Sequence, residues 1–511
     1  MIKIAMLVVF FGIMLFIGLY CRKNSTDVNG FVLGGRSVGP WLTAFAYGTS
    51  YFSAVVFVGY AGQFGWKYGI AATWAGIGNA ILGSLLAWTV LGRRTRIMTQ
   101  HLDSATMPQF FSKRYDSSKL KLLSSAVIFI FLIPYTASLY NGLSRLFGMA
   151  FDIRYEYCVI GMSVLTAIYV IAGGYMATAI NDFIQGIVMI VGIIAVIAAV
   201  LNTHGGLSAA MDSLSQMSSE SEGIKQGAFT SFFGPDPVNL LGVVLLTSLG
   251  TWGLPQMVQK FYAIKNEKAI TKGTIISTIF ALIVAGGCYF LGGFGRLFTP
   301  DRAADGSIIF DSIIPNMLKG LSEPLIGIVI ILVLSASMST LSSLVLASSS
   351  TLTLDFIKEK ISKNMSEKKQ VFTMRVLILV FIVISAFIAI VQHNSNITFI
   401  AQLMGVSWGA LAGAFLAPFL YGLYWKGVTK ASVWVNIIFS TVVMLANMLY
   451  KDIFPVVLKS PINAGAFCMI AGLIIVPIVS MFTKKMDKEK VDDVFSCYSK
   501  SVTVSVKDHM G

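Results

Sequence analysis

The sequence predicts an all-α integral membrane protein whose chain crosses the bilayer about thirteen times. Of its 511 residues, 56% are hydrophobic and only 12% are charged, and the mean hydropathy is +0.77. A water-soluble enzyme of this length does not have such a composition. Apolar runs also recur at nearly even spacing from Met1 to about Thr483, with no polar domain between them. We therefore expect one membrane domain over residues 1–483 and a charged cytoplasmic tail over residues 484–511.

Thirteen apolar runs are long enough to cross the bilayer, since a spanning helix needs about 20 residues to cover about 30 Å of hydrocarbon. They lie near residues 2–20, 40–65, 69–92, 122–149, 156–173, 183–201, 238–259, 270–292, 322–352, 372–391, 396–423, 431–450 and 461–482.

The distribution of basic residues predicts how these helices are oriented. If the N-terminus is outside, most of the 38 Lys and Arg residues fall in inside loops or in the tail. The loop richest in these residues, 93–121, is short enough for the positive-inside rule to apply. We therefore expect a multi-pass protein of the cell membrane with an outside N-terminus and a cytoplasmic C-terminus. Because topology explains the net charge of +14, no nucleic-acid partner is expected.

The sequence contains no recognisable catalytic or metal-cluster pattern. The four histidines lie in loops or in the tail, and the five cysteines are scattered singly without ligand spacing. We therefore expect neither an enzyme nor a bound cofactor.

Two of the predicted helices are interrupted in mid-membrane, by Gly48-Thr-Ser-Tyr-Phe-Ser53 and by Gly250-Thr-Trp-Gly-Leu-Pro255. Irregular backbone is tolerated at that depth only where it is buried in protein or lines a polar cavity. These helices open two successive five-helix blocks, near residues 40–201 and 238–423, and paired broken helices are typical of inverted-repeat transporters. In the alternative interpretation the small residues only permit close packing or a kink.

The ninth span has an unusual density of hydroxyl groups. Six of the ten residues in Leu334-Ser-Ala-Ser-Met-Ser-Thr-Leu-Ser-Ser343 are Ser or Thr, and most of them share one face of a helix. Hydroxyls and freed carbonyls supply the oxygen ligands that a hard cation requires. Alternatively, each hydroxyl bonds to the carbonyl one turn earlier and the stripe serves packing.

Asp182 is the other unusual residue, because it stands at the membrane edge directly before the predicted sixth helix. One interpretation is that its side chain caps that helix. The other is that the carboxylate faces a cavity as an ion ligand or relay.

Three motifs resemble the signatures of the sodium:solute symporter family. They are Gly34-Gly-Arg-Ser-Val-Gly39, Gly173-Gly-Tyr-Met-Ala-Thr-Ala-Ile-Asn-Asp-Phe-Ile-Gln-Gly186 and Ser337-Met-Ser-Thr-Leu-Ser-Ser343. The resemblance, which extends to about residue 482, implies a five-plus-five inverted repeat of the LeuT type with one extra helix in front and two behind. It also implies alternating-access symport, in which inward sodium flow drives the uptake of a small organic solute.

By position, the resemblance implies two ion sites and a solute pocket. The main sodium site would use the backbone carbonyls of Thr49, Phe52 and Ala336 with the hydroxyls of Ser339 and Thr340. A second sodium site would use Asp182, Ser342 and Ser343, so one or two sodium ions would be coupled. The pocket would be lined by Ser53, Phe57, Tyr135, Trp252 and Gln256.

The resemblance defines the solute only as an amino acid or carboxylate such as proline or pantothenate. The run Gly253-Leu-Pro-Gln256 is similar to the pantothenate branch, and much of the remainder is similar to proline carriers. Tyr51 and Thr247 depart from the proline carriers, which have Asp and Trp at those positions.

Two other functions fit the same features. In a proton-coupled carrier of this fold, Asp182 would titrate and the hydroxyl stripe would be packing. In a transporter-like membrane sensor, solute binding would produce a signal instead of transport.

Overall fold

A computed structural model describes residues 2–151, 154–219, 222–303, 305–395 and 400–499 of the chain. The principal helices are α1 (Ile2–Tyr20), α2 (Pro40–Tyr51, continued over 55–68), α3 (73–101), α4 (Ser118–Phe151), α5 and α6 (the two halves of Tyr155–Asn202), α7 (Pro237–Leu249, continued by Pro255–Ala263), α8 (267–292), α9 (Glu323–Thr351, continued to 360), α10 (Glu367–Ser395), α11 (Ile400–Tyr424), α12 (Lys430–Leu449), α13 (Pro461–Phe482) and α14 (Lys488–Ser496).

The number of membrane crossings follows from the lengths of these helices. In the described residues, ten helices are long and apolar enough to span a bilayer, or eleven if the bent pair that forms α7 is one span. Two of them, Val55–His101 and Tyr155–Asn202, have 47 and 48 residues. A straight helix of that many residues would be about 70 Å long, more than twice the hydrocarbon thickness. Each contains a break, and dividing both gives the thirteen crossings that the sequence predicts.

Glycines with positive φ make these two breaks. Gly69 (φ +61°) ends α2, and a Cβ there would lie 2.2 Å from the carbonyl oxygen of Phe229. Gly174 (φ +56°) separates α5 from α6, and a Cβ there would lie 2.8 Å from the Phe31 ring. Both positions combine a left-handed backbone with close packing, and only glycine satisfies both conditions.

The position of the second break corrects one interpretation of Asp182. The sequence places a loop between residues 173 and 183, with Asp182 as the cap of the next helix. In the structure the break is at Gly174 and Asp182 lies about two turns inside α6. A residue at that depth does not cap the helix, since capping groups flank the first turn. The N-cap interpretation is therefore wrong.

Helix α9 is the central element of the fold. It packs against α1, α2, α4, α10 and the α5–α6 run, and every residue from Val333 to Thr351 is buried. The hydroxyl stripe consequently faces protein on all sides and does not face lipid.

Residues 36–38 and 262–265 form a contact that we call the clasp, and it joins the start of α2 to the end of α7. The Val38 amide donates to the Ala263 carbonyl at 3.2 Å, and the Lys265 amide donates to the Val38 carbonyl at 3.0 Å. The Arg36 guanidinium donates to the Tyr262 carbonyl at 3.2 Å and to the Ser104 carbonyl at 2.6 Å. The first of the three sequence motifs therefore holds the two broken helices together on the side of the membrane that carries the basic loop 93–121.

The tail folds back onto this basic side as far as it is described. Helix α14 buries Val491, and its Lys490 pairs with Asp116 at 2.7 Å. The guanidinium of Arg114 lies over the Phe495 ring at 4.9 Å. Residues 484–499 are therefore ordered against the loops, while the remainder of the predicted tail, 500–511, lies outside the described residues. The division into a domain over 1–483 with repeats near 40–201 and 238–423 stays a prediction.

Candidate functional site

The break in α2 exposes backbone oxygens in the middle of the protein. The α-helical segment ends at Tyr51, and Phe52 has an extended backbone (φ −87°, ψ 117°). A wide π-helical turn follows at Val55–Tyr60. Such an interruption leaves carbonyls of the preceding turn without their usual helical donors, so they need other partners.

The five atoms expected at the main sodium site converge at this break. The Ser339 hydroxyl lies 3.1 Å from the carbonyl oxygens of Thr49 and Ala336. The Thr340 hydroxyl lies 3.2 Å from the Thr49 carbonyl oxygen, 3.3 Å from that of Phe52 and 3.0 Å from that of Ala336. All five residues are buried. One turn of α9 therefore meets the end of the first half of α2 through oxygen atoms.

The balance of protons and oxygens in this cluster favours a cation. Two hydroxyl groups carry two protons, yet they make five close oxygen contacts, so several pairs of oxygens face each other without a proton between them. Ligand oxygens placed around a hard cation at about 2.4 Å are about 3.4 Å apart, close to the spacing observed. The hydroxyls do reach the Ala336 carbonyl within their own helix, as the packing interpretation requires, but they also reach across to α2.

A lysine lies in the region expected to hold a second sodium ion. The Lys260 ammonium lies 3.8 Å from a carboxylate oxygen of Asp182 and donates to the Ser343 hydroxyl at 3.0 Å. The exposed fractions of the Lys260 and Asp182 side chains are 3% and 0%. The Ser342 hydroxyl instead bonds to the Ser339 carbonyl in its own helix, at 2.9 Å. A protein cation thus contacts two of the three predicted ligands.

The sequence does not single out Lys260, because this residue follows directly after the predicted span 238–259, where a lysine is typical of a loop. In the structure α7 continues to Ala263 and all nine residues of Pro255–Ala263 are buried. The signal in the sequence is the spacing from Gln256 to Lys260, because residues four apart lie on the same face of a helix.

A hydrogen bond joins the two regions that are expected to bind sodium ions. The Ser343 hydroxyl that accepts from Lys260 lies 2.9 Å from the Ser50 hydroxyl. Ser50 adjoins Thr49, whose carbonyl belongs to the main cluster. The Lys260 side chain also lies over the Tyr175 ring at 5.1 Å.

Tyr135 is one of the residues expected to line the solute pocket. Its ring packs edge-on against Trp408, with ring centroids 6.0 Å apart. In the described part of the chain, both Gln256 amide atoms are buried without a hydrogen-bond partner. The buried Tyr135 hydroxyl, Ser53 hydroxyl and Trp408 indole nitrogen have no partner there outside their own group. Buried polar atoms without hydrogen-bond partners are energetically costly. These side chains are therefore suited to binding a polar ligand. Trp408, on α11, carried no signal in the sequence.

Phe57 and Trp252 have different surroundings in this region. Phe57 is fully buried in the π-helical turn of α2 and can offer only an apolar surface. The Trp252 indole nitrogen donates to the Leu82 carbonyl at 2.8 Å. The neighbouring Thr251 hydroxyl donates to the Gly83 carbonyl at 3.0 Å. The break in α7 is thus anchored on a π-helical segment of α3. The indole N–H of Trp252 already donates to Leu82, so it is not free to donate to a solute.

A vestibule of about 640 Å³ opens on the side of the membrane opposite the basic loop. It begins near Gln63, one turn beyond the π-helical segment of α2. Four basic side chains line it, against two acidic ones: Lys67, Arg296, Lys451 and Lys459, with Glu222 and Asp236. A net positive mouth concentrates anions.

Two solved transporter structures share this architecture. A Na⁺-coupled sialic acid symporter, in a substrate-bound outward-open state, superposes with a TM-score of 0.76 at 16% identity, over 96% of this chain and 99% of that one. The nucleobase-cation-symport-1 family transporter MHP1, closed with bromovinylhydantoin bound, superposes with a TM-score of 0.50 at 14% identity, over 92% and 98%. The expected LeuT-like fold is confirmed.

Sequence comparison gives the family. A sodium/proline symporter of Staphylococcus aureus (strain JH9) is 29% identical over 508 residues, covering 95% of this chain and 92% of the relative, and so is that of strain NCTC 8325 / PS 47. Residues 31–439 match the sodium:solute symporter family, a family of transporters and not of enzymes. The chain therefore belongs to the sodium:solute symporter family and is a sodium-coupled solute symporter.

Proposed function

We propose that this symporter imports a small amino acid or carboxylate together with one sodium ion. The ion binds between the Thr49, Phe52 and Ala336 carbonyls and the Ser339 and Thr340 hydroxyls. The observation that carries the proposal is the convergence of five oxygens with two protons at the break in α2. Because α2 also carries Ser53 and Phe57, ion binding and solute binding act on the same broken helix.

The number of ions follows from Lys260. Its ammonium already neutralises Asp182 and uses the Ser343 hydroxyl, and a second buried cation beside it would be repelled. Of the residues predicted for a second sodium site, Asp182 and Ser343 therefore bind the lysine, and Ser342 bonds within its own helix. One sodium ion and a zwitterionic solute would move one net charge per cycle.

The chemical class of the solute is supported by two observations. The positive vestibule favours a solute with a carboxylate group. Relatives that match nearly the whole chain are named sodium/proline symporters, which makes proline the first solute to test. The polar atoms of Ser53, Tyr135 and Gln256 would bond the polar groups of the solute, and Phe57 would contact its apolar part.

We propose the orientation with the N-terminus outside, so that the vestibule faces outward and the basic side is cytoplasmic. A cysteine at Lys113 should then react only with reagents supplied from inside, and a cysteine at Ser215 only with reagents supplied from outside. The opposite labelling pattern would contradict the orientation.

Uptake into proteoliposomes tests the ion site. Ser339→Ala and Thr340→Ala each remove an oxygen ligand, at a cost of about 1–3 kcal/mol. The sodium concentration for half-maximal uptake should rise about ten- to a hundredfold. Ser350→Ala is the matched control, since among the described residues this buried hydroxyl of α9 bonds only within its own helix, to the Ala347 carbonyl at 3.2 Å. If all three variants require the same sodium concentration for half-maximal uptake, the hydroxyl stripe of α9 serves packing and does not bind the ion.

The same assay separates the two alternatives. A proton-coupled carrier would take up solute with a pH gradient and no sodium gradient. A membrane sensor would bind solute without accumulating it. Uptake that requires a sodium gradient at fixed pH contradicts both.

A further inference from the structure

A groove on the lipid-facing surface lies between the end of α1, the second half of α5 and the start of α10. It encloses about 480 Å³. Its walls are apolar and face the bilayer: Val164 is 52% exposed and Leu379 is 50% exposed. From Ile171 to Val164 the groove follows α5 for seven residues, which is about 10 Å into the membrane.

Two arginines, Arg22 from the end of α1 and Arg375 from α10, stand at the mouth of this groove. Arg375 donates to the Ser25 carbonyl at 3.2 Å and to the Ser25 hydroxyl at 3.4 Å, and its guanidinium lies over the Phe31 ring at 5.5 Å. Its Nε is buried and has no hydrogen-bond partner in the described part of the chain.

Among the described residues, no ion pair includes Arg22 or Arg375. Two positive groups that line one groove repel each other unless an anion lies between them. The guanidinium group matches a phosphate particularly well, because it can donate two parallel hydrogen bonds.

We propose that this groove binds an anionic phospholipid, with its phosphate on Arg22 and Arg375 and one acyl chain along Val164, Ile168 and Leu379. A soluble phosphate would satisfy the arginines but would leave the apolar walls unexplained. Basic pockets between spanning helices on the cytoplasmic side bind lipid headgroups of this kind. The assignment of the side rests on the proposed orientation, whereas the binding itself does not depend on sodium or solute.

Native mass spectrometry of the purified full-length protein tests the site, with phosphatidylglycerol and phosphatidylcholine added in turn and without sodium or solute. The wild type should retain phosphatidylglycerol in preference to phosphatidylcholine. Arg22→Gln/Arg375→Gln should weaken phosphatidylglycerol retention at least tenfold. The matched control is Lys23→Gln, because this neighbouring ammonium lies over the Tyr20 ring at 4.7 Å and outside the groove, so retention should not change.

A second variant guards against misfolding of the double arginine variant. Ile168→Trp fills the groove from a lipid-exposed position and keeps both arginines, and it should lose the lipid as well. Three results would overturn the proposal: equal retention in the wild type and the double variant, an equal loss in Lys23→Gln, or displacement of the lipid by millimolar inorganic phosphate. Because transport is not measured, failure here is distinct from failure of the proposed symport.

Discussion

Replacement of Lys260 by methionine is the sharpest test of the single-ion mechanism. At a separation of 3.8 Å and an effective dielectric constant of about 20, the attraction between Lys260 and Asp182 is about 4 kcal/mol. Removing one partner of a buried ion pair typically costs about 3–5 kcal/mol, because the other charge is left uncompensated. Lys260→Met should therefore be destabilised by about that amount in sodium-free buffer.

Sodium should reverse this loss, because the freed Asp182 carboxylate and the Ser342 and Ser343 hydroxyls then offer a site for a cation. An ion present at a hundred times its Kd would restore about 2.7 kcal/mol. The assay is thermal unfolding of the purified variant in sodium and in choline, combined with the Hill coefficient for sodium in uptake. We expect the Hill coefficient to rise from about one in the wild type to about two in the variant.

The double variant Lys260→Met/Asp182→Asn is the control, because it removes both charges. Its stability in choline should recover and its Hill coefficient should return to about one. A wild type that moves two charges per zwitterionic solute would refute the reasoning. So would a Lys260→Met variant that is as stable as the wild type in choline.

Three further predictions concern the solute pocket, the packing and the tail. Tyr135→Phe should raise the solute KM about tenfold through loss of one hydrogen bond, with unchanged half-saturation by sodium, as measured by uptake. Gly65→Ala should lower the free energy of unfolding by about 1–3 kcal/mol or more, because its Cβ would lie 1.9 Å from a carbonyl oxygen of α8. Gly12→Ala, with no atom within 4 Å, should leave thermal unfolding unchanged. The hydrogen bond from Lys490 lowers the pKa of Asp116. The contact between the tail and this loop should therefore be fully formed above the ordinary carboxylate pKa of about 4 and be lost as pH falls through the lowered pKa. Distances between spin labels on the loop and the tail would measure this loss.

The spans, and the meeting of the two segments expected to bind sodium, could be predicted because their signals are local. The length of an apolar run decides whether it can cross a membrane, whichever helices it packs against. Glycine and hydroxyl residues likewise weaken a helix regardless of the neighbouring helices. The five atoms proposed to bind sodium lie in two short segments, around Thr49 and around Ser339, and each segment carries its own signal. The resemblance of motifs then placed the two segments together.

The role of Lys260 could not be predicted in this way because it depends on distant partners. Asp182 and Ser343 are far from it in the chain, and an isolated lysine after an apolar run reads as a topological signal. Trp252 is a similar case, since the resemblance assigns it to the solute pocket but does not indicate that its indole N–H bonds to the Leu82 carbonyl. In both cases the packing of three helices decides the role of the residue, and no single helix contains that information.

The clasp between residues 36–38 and 262–265 has a mechanical consequence. Helices α2 and α7 share one end. Neither can swing away from the side of the membrane that carries the basic loop without carrying the other, or without breaking two backbone hydrogen bonds and the bond from Arg36 to the Tyr262 carbonyl. The backbone bonds contribute about 0.5–1.5 kcal/mol each and the charged Arg36 bond about 1.5–3 kcal/mol, so together they contribute about 2.5–6 kcal/mol. That sum exceeds the roughly 2.3 kcal/mol that one charge gains in crossing about 100 mV, so the descent of one charge does not open the clasp by itself. While the clasp is closed, α2 with Thr49 and Phe52 and α7 with Gln256 move as one body.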